Sequence, residues 1–364
     1  METNDMRVTR TELESFCIRL FRHLGLSEED ARITASVLVA ADVMGIASHG
    51  VGRVWRYVEG LKSGLMLPNA SAEVLRDTPS SIVIHAHGGM GAPVSVKAMK
   101  AVIGKARTSG SAFACVRDSN HFGIAGYYAR LALEEDMIGV AMTNTAALGV
   151  PTFGRMATFG TNPLAFAAPA DKEHCFVLDM STTVVPRGKL ELYDRMGKEL
   201  PVGWAVDKTG RSAERARSLF GDMQNQLGGG ILPLGGMGTD HGGHKGYGLA
   251  VMVDILCAVL CGAPFGTDVY DTPTSHARVS HFFGAIKISG FRDPPEFRRD
   301  MDRMLHSLRT SPPAEGEERV YYAGLPECER ESESLKLGIP LVKRTYSHLC
   351  SIAADCGIQA PKSV

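Results

Sequence analysis

An α/β architecture is what this 364-residue sequence predicts, and three observations lead to it. Apolar residues recur at helical spacing in several long segments. Short apolar runs of strand length lie between those segments. Most of the runs are bounded by Gly, Pro or Asn. Helices and strands interleaved in this way indicate a mixed class rather than a bundle or a sandwich.

In chain order, Leu13, Phe16, Cys17, Leu20 and Leu24 set out one helical face over Thr11–Leu24. Ser27-Glu28-Glu29-Asp30 resembles a capping box and places acids at the positive end of a second helix. The apolar face of that helix runs through Ile33, Val37, Leu38 and Ala41 to Met44, and delivers the chain to Ser48-His49-Gly50. Further helices are expected at 93–108, 124–136, 245–261 and 294–308. Strands are expected at 81–87, 113–116, 138–144, 163–169, 176–181 and 281–288. The stretch SPPAEGEE, 311–318, reads as a solvated connector to a tail. No internal repeat or low-complexity tract interrupts the chain.

Composition narrows the function classes. The chain is 44% hydrophobic and 22% charged with net charge -1, close to an ordinary globular protein. No strong field attracts nucleic acid or an anionic membrane. The eight cysteines are scattered without a C-x-x-C pair, which fits a reduced, cytoplasmic compartment. The first residues, METNDMRVTRTELESF, are too charged for a secretory segment. The most apolar stretch, 249–264, contains Asp254 and falls short of the ~20 residues that span a bilayer.

Some familiar motifs are missing. There is no G-x-G-x-x-G, no Walker sequence and no H-E-x-x-H. His241 and His244 have the spacing of two metal ligands, yet they sit among glycines with no carboxylate in a helical frame. His85 and His87 would share one face of a strand. Neither pair is read as a metal site.

Four clusters carry chemistry. In SHGVGR, Ser48 to Arg53, a helical frame would put His49 and Arg53 on one face. Arg53 could then grip a carboxylate beside an imidazole that titrates near neutrality; the alternative is a solvated helix end. In RDSNHFGIAGYY, Arg117 to Tyr128, Ser119 and Asn120 stand where a helix cap would be. His121 would lie at the positive mouth of that helix, where its basicity drops and it can shuttle protons; a capping or core role is the alternative. FGTNPLAFAAP (159–169) and FVLDMSTT (176–183) join apolar runs to hydroxyl and amide residues that could bond a flat polar ligand, or simply end two strands. In GGMGTDHGGHKGYGLAVMVDIL, 235–256, a glycine-rich loop enters an apolar helix with Lys245 at the junction. That is a recipe for holding an anion, or a solvated loop.

SHGVGR, SNHFGIAGYYA, GTNPLAF, LDMST, RGKL, VGWAVDKTG, LPLGG and GGHKGYGLA occur in this order. With HFFGAI, SPPA and LGIPL they cover nearly the whole chain. By these motifs the sequence resembles the malate/L-lactate dehydrogenase family, which also includes ureidoglycolate, sulfolactate and 2,3-diketogulonate enzymes. The resemblance implies an α/β fold with a non-Rossmann NAD(P)-binding sheet domain, its helical N- and C-terminal segments packed together. The expected organisation is a helical segment at 1–80, a central NAD(P)-binding and catalytic domain at 81–290, and a C-terminal helical segment and tail at 291–364. It also implies a homodimer with the active site near the subunit interface, a small-molecule acid as substrate, and no nucleic acid, membrane or metal.

The implied activity is hydride transfer between nicotinamide, as NAD or NADP, and a 2-hydroxy or 2-keto acid of malate or lactate type. Ureidoglycolate, sulfolactate and cyclic imino acids are the alternatives. Carried over by motif, His121 matches the proton acceptor, His49 a proton donor assigned in some members, and Arg53 the residue that binds the substrate carboxylate. Lys189 could polarise the keto oxygen or bind a second acid group. Thr145, Thr161, Asp179, Met180 and Ser181 match nicotinamide-side contacts, and His244 with Lys245 a second cofactor segment. Two departures stand out: YYAGLPE (321–327) where relatives often read Y-P-G-E, which puts a cofactor contact there in doubt, and Pro186 where many carry Ala. A dinucleotide-binding protein without catalysis would be expected to lose His49, Arg53 or His121, and all three are present. A hydrolase using His241 and His244 is the remaining rival.

Overall fold

The computed structural model describes residues 5–272 and 274–364. The chain starts with β1 (Asp5–Val8), α1 (Arg10–His23), α2 (Glu28–Val43) and α3 (Val54–Lys62). Ser27 does cap α2: its hydroxyl accepts from the Asp30 amide at 3.1 Å. Then come β2 (Glu73–Asp77), β3 (Ser81–His85), α4 (Gly91–Ser109), β4 (Ser111–Ser119), α5 (Ala125–Arg130), β5 (Met137–Thr143), β6 (Leu164–Ala168) and β7 (Phe176–Met180). A smaller lobe holds α6 (Arg187–Arg195), β8 (Ala205–Val206), α7 (Ala216–Gln224) and β9 (Gly230–Ile231). The chain closes with α8 (Gly243–Cys257), β10 (Val279–Lys287), α9 (Pro294–Arg309), α10 (Leu325–Leu337), β11 (Ile339–Val342) and α11 (Lys343–Asp355).

The central sheet has seven strands in the order β2-β3-β4-β10-β5-β6-β7. Only β3 and β4, joined through α4, run parallel; the other pairs are antiparallel. The late strand β10 slots between β4 and β5, with Ala285 opposite both Ala112 and Gly139. Alternate residues serve opposite faces, as a pleated strand requires. Ala112, Ala114, Val116, Ala141, Phe283 and Ala285 pack under α4 and α5, while Cys115, Met142 and Phe282 meet Val253 and Cys257 of α8. Small residues let α5 come close: a Cβ on Gly139 would lie 2.0 Å from the Ala129 carbonyl oxygen.

A second core joins the two ends of the chain. Leu13, Phe16, Leu20, Leu38, Val54 and Tyr57 pack with Ile339, Leu341, Leu349 and Ile352, and β1 pairs antiparallel with β11. Residues 311–318 are exposed as expected, but the chain beyond them is folded as α10, β11 and α11 rather than left as a loose tail. The expected helix at 124–136 breaks after Arg130 into a 3-10 turn that ends at Asp136 with φ 51°. The apolar helix α8 begins at Gly243, ahead of the expected 245, and its α-helical part ends at Cys257, short of the expected 261. With its 3-10 extension it spans Gly243–Cys261, long and apolar enough by composition to cross a membrane. Its Asp254, however, is buried and hydrogen-bonded to Asn162 at 3.0 Å, and its inner face lies on the sheet.

Candidate active site

The loop after α2 is fixed by one buried carboxylate. Asp42 accepts from the Val51 amide at 2.6 Å, and a Cβ on Gly50 would lie only 2.0 Å from its carboxylate oxygen. Burial pushes the Asp42 pKa up to about 7, against the bond from Val51. Ser48-His49-Gly50 therefore forms a turn, and only Val51–Arg53 coil into a 3-10 helix. His49 and Arg53 are not brought together by α-helical spacing. Instead Arg53 Nε donates to the Ser48 carbonyl at 2.7 Å, and Ser48 Oγ lies 2.8 Å from His49 Nδ1.

His121 stacks on His49, ring centroids 5.7 Å apart and planes 16° from parallel. Its setting differs from a helix mouth. Helix α5 starts four residues later, and Ile124 at its N-cap makes no side-chain cap bond. Ser119 and Asn120 are not caps: Ser119 Oγ bonds His281 at 2.9 Å, and Asn120 Nδ2 donates to the carbonyls of Gly88 and Gly89. The His121 pKa still falls well below the usual imidazole range, through burial first and then the charges of His49, Arg56, Arg53 and His281. His49 is pulled down to about 4 by burial and then by Arg53. Both imidazoles are neutral at pH 7.

A cavity of about 450 Å³ opens beside this stack, lined among others by His49, Thr161, Asp179, Met180 and Ser181. Its walls include the apolar Ile46, Ile124, Val184 and Leu234. Asp179 faces the open cleft while protein crowds its other sides, and this desolvation lifts its pKa to about 6. The Gly126 amide, in the first turn of α5, takes one of its oxygens at 2.7 Å. Thr145 stands just behind, its Oγ1 accepting from the Thr161 amide at 3.0 Å. A second cavity of about 270 Å³ shares Ile46, Ile124 and Asp179 with the first, and adds Arg130, Tyr321, Gly324 and Glu327.

Six of the expected residues thus meet around one cleft: His121, His49, Thr161, Asp179, Met180 and Ser181. Arg53 and Thr145 lie immediately beside it. Lys189 does not join them; it is exposed, with Nζ 4.9 Å from the Trp204 ring centre. His244 and Lys245 are exposed in the first turn of α8, and His241 is exposed just before it. A Cβ on Gly246 would lie 2.2 Å from the carbonyl oxygen of Leu234, a cleft residue, so that turn abuts the rim. Among the described residues no group of three or more His, Cys, Asp or Glu is arranged to hold a metal ion.

Sequence reasoning passed over Tyr57, whose hydroxyl lies 2.7 Å from His121 Nδ1. It also passed over the Gly126 amide and the Arg130–Glu327 cavity. For Tyr57 the available signal was its place four residues after Arg53. Gly126 had none, because a backbone donor leaves no residue type to read.

The cleft suits a flat, amphipathic, extended ligand: apolar walls, a hydroxyl-lined edge and one carboxylate with an oxygen to spare. The family model described as malate/L-lactate dehydrogenase matches residues 8–350. A malate dehydrogenase of Pyrococcus abyssi is 43% identical over 359 residues, 99% of this chain and 97% of that protein. A malate/(S)-sulfolactate dehydrogenase of Methanothermus fervidus is 37% identical, covering 97% and 99%. The crystal structure of a malate dehydrogenase from Entamoeba histolytica superposes with a TM-score of 0.94 at 32% identity, covering 99% of this chain and all of that one.

Proposed function

The chain belongs to the malate/L-lactate dehydrogenase family, and we propose that it oxidises or reduces a small 2-hydroxy or 2-keto acid of the malate type in this cleft. It is an NAD(P)-dependent oxidoreductase. One observation carries the site reading: residues from four separate motifs line or adjoin one cleft, with two neutral imidazoles stacked at its edge. When bound, NAD or NADP supplies the ring that accepts or gives the hydride. The chain's own residues do the rest.

Asp179 fits the cofactor because Gly126 occupies only one carboxylate oxygen, leaving the other for a ribose hydroxyl or amide. Thr161 and Ser181 extend that polar edge, and Ile46 and Ile124 would keep water from a nicotinamide ring held there. The adjoining cavity offers room for the distal half of an extended dinucleotide. Arg53 has Nε committed to Ser48, so its two terminal nitrogens remain for the substrate carboxylate, the planar bidentate match that guanidinium makes well. The histidine pair exchanges the proton with the 2-oxygen.

Malate, sulfolactate and ureidoglycolate all carry the carboxylate that Arg53 would hold. Cyclic imino acids carry it too, and Lys189, placed on Trp204 away from the cleft, gives no reason to prefer a keto acid over an imine. The test is a panel of oxaloacetate, pyruvate, sulfopyruvate, oxalurate and a cyclic imino acid, each offered with NADH and NADPH. Oxaloacetate is expected to be the best substrate. Silence across the panel with no cofactor bound would overturn the reading.

A homodimer in the cytoplasm completes the proposal. The outward face of α8 carries exposed Val251 and Ile255, and its 3-10 extension exposed Val259 and Leu260, a stripe that a second copy would cover. Ile255→Glu should then yield monomers on light scattering. All eight cysteines are free, as in a reduced compartment.

A further inference from the structure

The two histidines at the cleft edge are held in different ways. His121 Nδ1 receives the Gly123 backbone N–H at 3.3 Å. An amide can only donate, so this nitrogen carries no proton, and of the two acceptors within reach of the Tyr57 hydroxyl, Nδ1 at 2.7 Å and the His121 carbonyl at 3.4 Å, the nearer one takes its hydrogen. Tyr57 is 1% exposed. It is built into the core between α1 and α3, with the Phe21 ring edge-on at 6.1 Å. His49 is different: its Nδ1 faces the Ser48 hydroxyl, a rotor that can donate or accept.

We propose that Tyr57 is a positioning residue which, with the Gly123 amide, holds His121 as the neutral tautomer protonated on Nε2. His121 then offers an N–H to the reacting oxygen instead of a free base, and His49 changes protonation. The inference rests on the functional reading above and divides the labour within it.

The surroundings agree. A proton added to Nδ1 of His121 would point at the Gly123 N–H, so the imidazolium is opposed by geometry as well as by desolvation. The charged and titratable groups that act on His121 are His49, Arg56, Arg53 and His281, and all four disfavour a further positive charge. Burial pushes the Tyr57 phenol up, so it keeps its proton and remains a donor to Nδ1. In the oxidative direction the substrate hydroxyl passes its proton to His49, while His121 donates a hydrogen bond to the same oxygen as it becomes a carbonyl. In the reductive direction His49 arrives charged and returns that proton.

The test uses full-length protein with nitrogen-15 in its histidines, the His121 signals being identified by their loss in His121→Gln. Wild type should show a single neutral tautomer with the proton on Nε2 across neutral pH. Tyr57→Phe, which removes one oxygen and no volume, should shift His121 to a tautomer mixture. It should also lower kcat about 10- to 100-fold, the loss of one strong hydrogen bond, with the cofactor Kd unchanged. Tyr346→Phe, which loses a hydroxyl bond to the Pro361 carbonyl and none to His121, should change neither readout. A proton on Nδ1 of wild-type His121, an imidazolium at pH 7, or a Tyr57→Phe protein with unaltered spectrum and kcat would overturn the proposal. The spectra need no substrate. The expected tautomer without turnover of any acid would therefore fault the functional reading, and turnover with the wrong tautomer would fault this one.

Discussion

His49 and His121 lie ring over ring, 5.7 Å between centroids, yet they come from separate segments of the chain: one comes after α2, the other after β4. Each has its Nδ1 against a hydroxyl, Ser48 or Tyr57. Removing either imidazole should be severe. His49→Ala and His121→Ala should each lose about 10²-fold or more in kcat, with cofactor affinity within a few-fold of wild type. The double variant should lose far less than the product of the two, because the pair acts as one unit. Steady-state kinetics beside calorimetric titration of the cofactor would check both points.

The depressed pKa values set the pH dependence. Hydroxy-acid oxidation needs a neutral proton acceptor. His49 stays neutral down to about pH 4, so kcat/KM should hold its plateau well below 6.5, the ordinary imidazole value. Keto-acid reduction needs the protonated form, and its kcat/KM should keep rising as the pH falls toward 4. An acid limb centred near 6.5 in the oxidative direction would contradict the burial of His49.

Arg53 should act on binding more than on turnover. In Arg53→Gln the KM for the acid should rise about 10- to 100-fold, the worth of a hydrogen-bonded charge at ~1.5–3 kcal/mol, with the cofactor Kd unaltered. Arg53→Lys should restore little, because an ammonium cannot make the paired planar contact.

Asp42 should penalise stability at high pH. Its folded pKa, about 7, lies above its ordinary value of 3.8. The folded protein therefore holds a proton that the unfolded chain releases, and stability is lost as pH rises from about 4 through 7. Asp42→Asn keeps an acceptor for the Val51 amide and removes the charge. It should raise the unfolding free energy at pH 8, by on the order of 1 kcal/mol or more, and the thermal midpoint with it, the gain shrinking toward pH 5. An equal gain at both pH values would show that charge is not the cause.

The second cavity bears on NAD against NADP. Its cation, Arg130, lies 3.5 Å from Glu331, and Glu327 lines the same space. With the adenosine half lodged there, an added 2′-phosphate would meet a countered arginine and a free carboxylate. NADH should bind about tenfold tighter than NADPH or better, a gap of ~1.4 kcal/mol. Glu327→Gln should narrow that gap in direct titrations.

Much of the fold was legible because its signals are local. The Ser27 cap, the α1 face and six sheet strands announce themselves by spacing and punctuation. The pairing of β1 with β11 does not, since two four-residue strands more than 300 positions apart share no local mark. The motif residues led to the cleft, but the reason given for His121 was wrong in kind: burial and neighbouring charges, rather than a helix dipole, lower its basicity. Lys189 looked chemical by its place in RGKL, yet the first turn of α6 puts its ammonium over Trp204. Tyr57 went unnoticed because a tyrosine among Val54 and Val58 reads as core, which it also is.

The strand pairing has one more consequence, for the moment of synthesis. Val8 meets Ile339, and the last residue, Val364, donates its amide to the Arg7 carbonyl. The turn and helix that carry His49, Arg53 and Tyr57 are synthesised well before α11, yet Val51, Val54 and Tyr57 share a core with Leu349 and Ile352 of α11. A nascent chain can assemble much of its sheet while this layer still waits for its closing strand. The enzyme should stay silent until β11 and α11 are released, and a chain stalled short of residue 339 should be both inactive and exposed to proteolysis at α1 and α2.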